Sequence, residues 1–119
     1  MRIMTVIGAR PQFIKAGAVT RRIRERGDIE EILTHTGQHF DDNMSGVFFE
    51  ELALPWPAYD LGISGGSHAV MTGRMLEALD PLLVDEAPDA VLVYGDTNST
   101  LSAALAAAKR NLPVAHVEA

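Results

Sequence analysis

The feature that most constrains this sequence is an alternation. Short β-branched, apolar runs, each closed by Gly or a polar residue, are followed by stretches with helical spacing. RIMTVI at 2–7 ends at Gly8, EILTH at 31–35 precedes Thr36-Gly37-Gln38, and AVLVY at 90–94 runs into Gly95-Asp96; PVAHV at 113–117 is a last apolar run. Between them, Pro11 suits a first helical turn, and Phe13, Ile14, Ala18, Val19, Arg22 and Ile23 keep helical spacing until Gly27. Asp41 or Asp42 can cap a helix to about Leu52, with 55–66 a Gly/Pro-rich loop holding a short strand near Tyr59. Ser67 can cap a long helix to about Glu86 whose inward residues include Val70, Met71, Met75, Leu76, Leu79, Leu82 and Leu83, with Pro81 kinking or splitting it. Thr97, Asn98 or Ser99 caps an Ala-rich helix to Arg110.

Strands that alternate with helices form right-handed βαβ units, so the expected fold is α/β, a Rossmann-like parallel sheet with helices on both faces. All strands, 113–117 included, are expected to be buried. Charge narrows the partners. Ten Lys and Arg against sixteen Asp and Glu, a net −6, argue against a nucleic-acid surface. Seven of the ten bases fall in residues 1–27, and those at 21–26 suit a solvated helix face. There is no cysteine, so no disulfide and no thiolate metal site. No apolar stretch is long enough for a membrane span, and Arg10 and Lys15 interrupt the N-terminus before a signal peptide could form. A soluble cytoplasmic protein that binds neither nucleic acid nor membrane is the expectation.

In such sheets ligands bind at the carboxyl ends of the strands, where strand order reverses. Those ends carry Gly8, Arg10 and Lys15; His35, Gly37, Gln38 and His39; Gly95, Asp96 and Thr97; and His116 and Glu118. An edge with two cations, several imidazoles and two carboxylates can hold an anionic substrate and move protons on it. Each residue also has a plainer role: Asp96 as a helix cap, Lys15 solvated, His116 paired with Glu118 on the same side of its strand. His35 and His39 flank a helix breaker and no Glu, so a metal site is not expected. Neither a P-loop nor G-x-G-x-x-G occurs.

The segments GARPQFIK at 8–15, HTGQH at 35–39, MTGRMLE at 71–77, VYGDTNST at 93–100 and PVAHVEA at 113–119 occur in one order along the whole chain. Together they closely resemble the non-hydrolysing UDP-N-acetylglucosamine 2-epimerase family. The wording RPQFIK, HTGQHFDDNMS and GDTNSTL is nearer to members acting on UDP-2,3-diacetamido-2,3-dideoxyglucuronate. The resemblance implies the first half of a GT-B-like two-domain fold and inversion at C2 of a UDP-2-acetamido sugar. It implies that UDP is eliminated and re-added, without cofactor or metal, in a homodimeric protein. On this basis Asp96, Glu118 and Lys15 are catalytic, Arg10, Lys15 and His116 bind substrate, and Gln38, His39 and Arg74 match a regulatory UDP-sugar site of some members. The family's third catalytic acid, its catalytic His and most uridine-diphosphate contacts would lie past Ala119. The 119 residues are therefore expected to form an incomplete N-terminal Rossmann-like domain, lacking the C-terminal nucleotide-binding domain and inactive alone. A GT-B glycosyltransferase and a non-catalytic Rossmann-like module are the alternatives.

Overall fold

The computed structural model describes residues 1–8, 10–37 and 57–117. The helix expected from Asp41 or Asp42 to Leu52 lies outside them, as do Gln38, His39 and Glu118. Five strands, β1 (Arg2–Ile7), β2 (Glu30–His35), β3 (Tyr59–Asp60), β4 (Ala90–Tyr94) and β5 (Val114–Val117), alternate with three described helices, α1 (Arg10–Arg26), α2 (His68–Glu86) and α3 (Asn98–Lys109). The strands form one parallel sheet in the order β3-β2-β1-β4-β5. From β1 the chain moves outward through β2 and β3, then returns to β1's other side for β4 and β5. The switch point lies between β1 and β4.

Alternation along each strand sorts the core into two layers. Met4, Val6, Ile32, Val91 and Val93 pack with Leu79 and Leu83 of α2 and Ala103, Ala106 and Ala107 of α3. Ile7, Leu33, Leu92 and Tyr94 meet Ala16 of α1 on the opposite face. Helices thus cover both faces, as expected. The alanines at 103, 106 and 107 keep α3 close to the sheet, while the exposed Arg110 joins Asp80 at 2.7 and 2.8 Å across the α2–α3 seam. Such a half-exposed pair contributes at most about 1 kcal/mol.

Three expectations are corrected. The inward stripe of α1 is Gln12, Ala16, Thr20 and Ile23, so Ile14, at 58% exposure, and Ala18 and Arg22 face solvent. Four-residue spacing also governs α2, whose buried residues are Met71, Met75, Leu79 and Leu83. Val70 stands about 100° round from that row and is 54% exposed. Pro81 does not split α2, which runs on to Glu86. Its exposed ring lies on the solvent side, where the Glu77 carbonyl, left without its helical donor, can meet water.

The third correction concerns β5. Val114, Ala115 and His116 are exposed, because β5 pairs with β4 alone and ends the sheet among the described residues. An apolar run shows that a strand can be buried and leaves open whether neighbours cover it.

Beyond β2 the chain turns at Gly37 (φ +90°) and docks on the 62–66 loop through Ile63 N–H to Thr36 O at 2.8 Å. A Cβ at Gly37 would come within 2.7 Å of the Ile63 nitrogen and 2.9 Å of Gly62 Cα. Gly37→Ala is expected to destabilise the protein by about 2 kcal/mol or more, combining backbone strain with this clash. Gly65→Ala, with φ +79° and open space around its Cβ, should cost only about 1 kcal/mol. Urea unfolding midpoints of the two variants measure the difference.

Candidate functional site

Two turns meet at the switch point. One leaves β1 at Gly8 and enters α1 at Arg10. The other leaves β4 at Tyr94, turns through Gly95 (φ +67°) and Asp96, and enters α3 with Thr97 as N-cap. Gly95 has no Cβ to oppose this left-handed geometry. Thr97 Oγ1 accepts from Thr100 N–H at 3.4 Å, and Thr100 Oγ1 accepts from Thr97 N–H at 3.2 Å, a reciprocal capping box. Thr100 Oγ1 also donates to Tyr94 O at 2.5 Å, closing the turn around Asp96.

Gln12 joins the two turns. Its side chain is buried, 3% exposed, with Nε2 2.7 Å from Tyr94 O, 2.8 Å from Thr97 Oγ1 and 3.1 Å from Thr100 Oγ1. Its Oε1 accepts from Gly8 N–H at 2.8 Å. A backbone N–H can only donate and a carbonyl can only accept, so these two partners fix which end of the amide is which.

The other polar side chains at the start of α3 each reach a different neighbour. Asn98 Nδ2 is 2.9 Å from His68 Nδ1 and 3.6 Å from Met71 Sδ of α2. Ser99 Oγ lies 2.8 Å from Thr36 Oγ1 at the end of β2, with both residues buried. Ser102 Oγ donates to Thr72 O at 3.1 Å. The TNST-S pattern is thus a hub binding α1, the end of β2, β4 and α2 to one helix start.

A cavity of about 400 Å³ opens beside this hub, between α3 and β5. Asp96, Thr97, Thr100 and His116 line its polar side, and Leu101, Ala104 and Val114 its apolar side. Asp96 is exposed in the turn. A ring nitrogen of His116, Nε2, sits 2.5 Å from Gly95 O, and because a carbonyl only accepts, that nitrogen carries the proton. In that tautomer Nδ1 is left as the acceptor. The expected His116–Glu118 pairing rests on Glu118, which lies outside the described residues.

The structure therefore brings Asp96 and His116 into one cavity. Lys15, partly exposed, lies on the turn of α1 that follows Gln12. Arg10 opens α1, its side chain outside the described residues, and Arg74 is exposed on the second turn of α2. The N-termini of α1, α2 and α3 all face this sheet edge, so backbone N–H groups add to Lys15 in favouring an anion. Among the described residues, no group of three His, Asp or Glu could hold a metal ion.

His35 departs from expectation. It does not join the open edge but is 1% exposed, its Nδ1 3.6 Å from Asp60 Oδ1. Burial holds its pKa below the ordinary 6.5, with Asp60 opposing in part. The folded state therefore favours the neutral ring, and the unfolded chain binds the extra proton. That contribution is complete above about pH 6.5 and is lost as pH falls toward the lower folded value. Unfolding midpoints should drop between pH 7.5 and 5.5, and His35→Asn should flatten the drop.

Gln12, Thr36, Ser99 and Thr100 were not singled out from the sequence as site residues. For Gln12 a signal existed: it shares the i, i+4, i+8 row of Ala16 and Thr20, and a polar side chain on a buried helix row must find partners.

Comparison with known proteins gives a family match, two curated relatives and two solved structures. The family described as UDP-N-acetylglucosamine 2-epimerase matches residues 21–119. The chain is 58% identical over all its 119 residues to the UDP-2,3-diacetamido-2,3-dideoxy-D-glucuronate 2-epimerase of Pseudomonas aeruginosa, covering 34% of that protein. It is 44% identical over 119 residues to the UDP-N-acetylglucosamine 2-epimerase of Methanocaldococcus jannaschii, covering 32% of it. The crystal structure of the latter enzyme with UDP-GlcNAc and UDP superposes with a TM-score of 0.94, over all of this chain and 33% of that one. The Neisseria meningitidis UDP-GlcNAc 2-epimerase bound to UDP-GlcNAc gives 0.91 at 34% identity, over all of this chain and 32% of that one. The chain spans about a third of the length of the curated relatives it matches.

Proposed function

The chain belongs to the UDP-N-acetylglucosamine 2-epimerase family, and from that premise we propose that the intact protein inverts C2 of a UDP-2-acetamido sugar. The observation that carries the proposal is the cavity shared by Asp96 and His116 at the carboxyl edge of the sheet, the edge at which α1, the helix of Lys15, begins. Asp96 offers a proton acceptor there, and the helix N-termini and Lys15 at the same sheet edge favour an anion, where a Rossmann-like sheet binds ligands. The higher identity to the P. aeruginosa enzyme than to the M. jannaschii one favours a 2,3-diacetamido uronate as the sugar.

No carbonyl acidifies the C2 proton of such a sugar, so its removal must be coupled to departure of the diphosphate. The Asp96 carboxylate takes the proton. The C2–H electron pair becomes the C1–C2 double bond while the C1–O bond breaks, its pair leaving with UDP. Arg10 and Lys15 offset the charge that gathers on the departing diphosphate. His116 binds the sugar, and Glu118 serves as a second acid–base group. A proton then returns to the opposite face of C2 as UDP rejoins C1, so the cycle balances without an external oxidant. In this proposal the intact protein is a cytoplasmic homodimer, and Gln38, His39 and Arg74 belong to a separate UDP-sugar site.

Incubation with the UDP-sugar in deuterated water tests the proposal directly. The intact protein should place deuterium at C2. Asp96→Asn should slow this by about 10²–10⁴-fold while leaving UDP-sugar affinity within a few-fold. Full exchange by Asp96→Asn, or sugar transfer to an acceptor without C2 exchange, would contradict it. The 119 residues by themselves, spanning a third of the relatives' length, should show no exchange.

A further inference from the structure

Resting on the epimerase proposal above, we propose that Gln12 is a positioning residue that sets the candidate base Asp96 against the cations of α1. The Gln12 amide grips the chain on both sides of Asp96: Tyr94 O two residues before it, and Thr97 Oγ1 directly after it. Through Oε1 the same amide holds Gly8 N–H, at the turn that leads into Arg10. Lys15 follows on the next turn of the same helix.

These groups come from strands and helices that are far apart in sequence, Gln12 and Tyr94 being separated by 82 residues. Local bonds close the Asp96 turn on itself, through Thr100 to Tyr94 O and the Thr97–Thr100 capping box, but they leave open how that turn sits against α1. One planar amide with an obligate donor at one end and an obligate acceptor at the other removes that freedom. The grip of Gln12 on the Asp96 turn is to backbone and hydroxyl groups, so its role is to place Asp96, whereas Asp96 itself meets the substrate.

The chemistry makes the variants discriminating. Met at position 12 keeps the length and much of the shape but neither donates nor accepts usefully. Glu keeps the acceptor for Gly8 N–H and can accept a hydrogen bond from the Thr97 hydroxyl, but ionised it repels the Tyr94 carbonyl. A placement error of about an ångström at a reacting centre costs on the order of 100-fold in rate. In the intact protein, Gln12→Met should therefore lower kcat for C2 deuterium exchange by about 10- to 100-fold with KM within about two-fold. Gln12→Glu should recover part of that loss, and its rate relative to wild type should rise as pH falls and the carboxyl becomes protonated. A second readout does not need turnover. Amide hydrogen exchange of Gly95–Thr97 should speed up in Gln12→Met while the amides of β1 and β4 keep wild-type protection.

A folded Gln12→Met protein with wild-type kcat, or with protection lost evenly across the sheet, would overturn the positioning role. If wild type itself incorporates no deuterium at C2, the epimerase proposal fails instead. The exchange of residues 95–97 then still decides whether Gln12 holds the Asp96 turn.

Discussion

The site depends on one buried amide. A doubly wound sheet brings the ends of β1 and β4 side by side, but it leaves open how the turns that follow them sit against each other. The Gln12 side chain removes that choice by satisfying a donor on one turn and an acceptor on the other. Because the group is buried, losing either partner would leave a polar atom without solvent, which costs about 1–3 kcal/mol. The hydrogen bonds therefore act as a constraint more than as a net source of stability.

The start of α3 extends the same logic. A helix beginning leaves several N–H groups without intrahelical partners, and Thr97 and Thr100 satisfy part of that need between themselves. Ser99, Asn98 and Ser102 turn outward to Thr36, His68 and Thr72. The loop after β2 and the first turns of α2 are thereby tied to the helix that follows Asp96. A ligand held at this edge meets groups whose positions are interdependent, which is what proton transfer at an unactivated carbon requires.

Local features of the sequence foretold local structure well. AVLVY at 90–94, Ser67 as the cap of α2, the cap of α3 at Thr97 and the turn at Gly27 all depend on residues within a few positions of one another. The parallel sheet followed from the alternation. What the sequence concealed was long-range. Thr36 and Ser99 meet across 63 positions, and no pattern at either site announces the other. The run at 113–117 could not disclose that β5 ends the sheet among the described residues, since apolar character is common to buried strands and to strands whose neighbours lie elsewhere. His35 looked like a strand-end acid–base group and is instead enclosed beside Asp60, because alternation turns its side chain beneath α1 and away from the cavity. The strand-end rule located the edge correctly; it could not sort which side chains face the cavity and which face the core.

The central claim is that the β1–β4 switch point is where the sugar of a UDP-sugar sits, between Asp96 and the first turns of α1. A crystal structure of the intact protein with a UDP-2-acetamido sugar tests it most directly. The account predicts C2 of the sugar facing the Asp96 carboxylate, the diphosphate near Arg10 and Lys15, and the Gln12 amide still bridging Gly8 and Tyr94. A sugar seated away from this edge, out of contact with both Asp96 and Lys15, would contradict it.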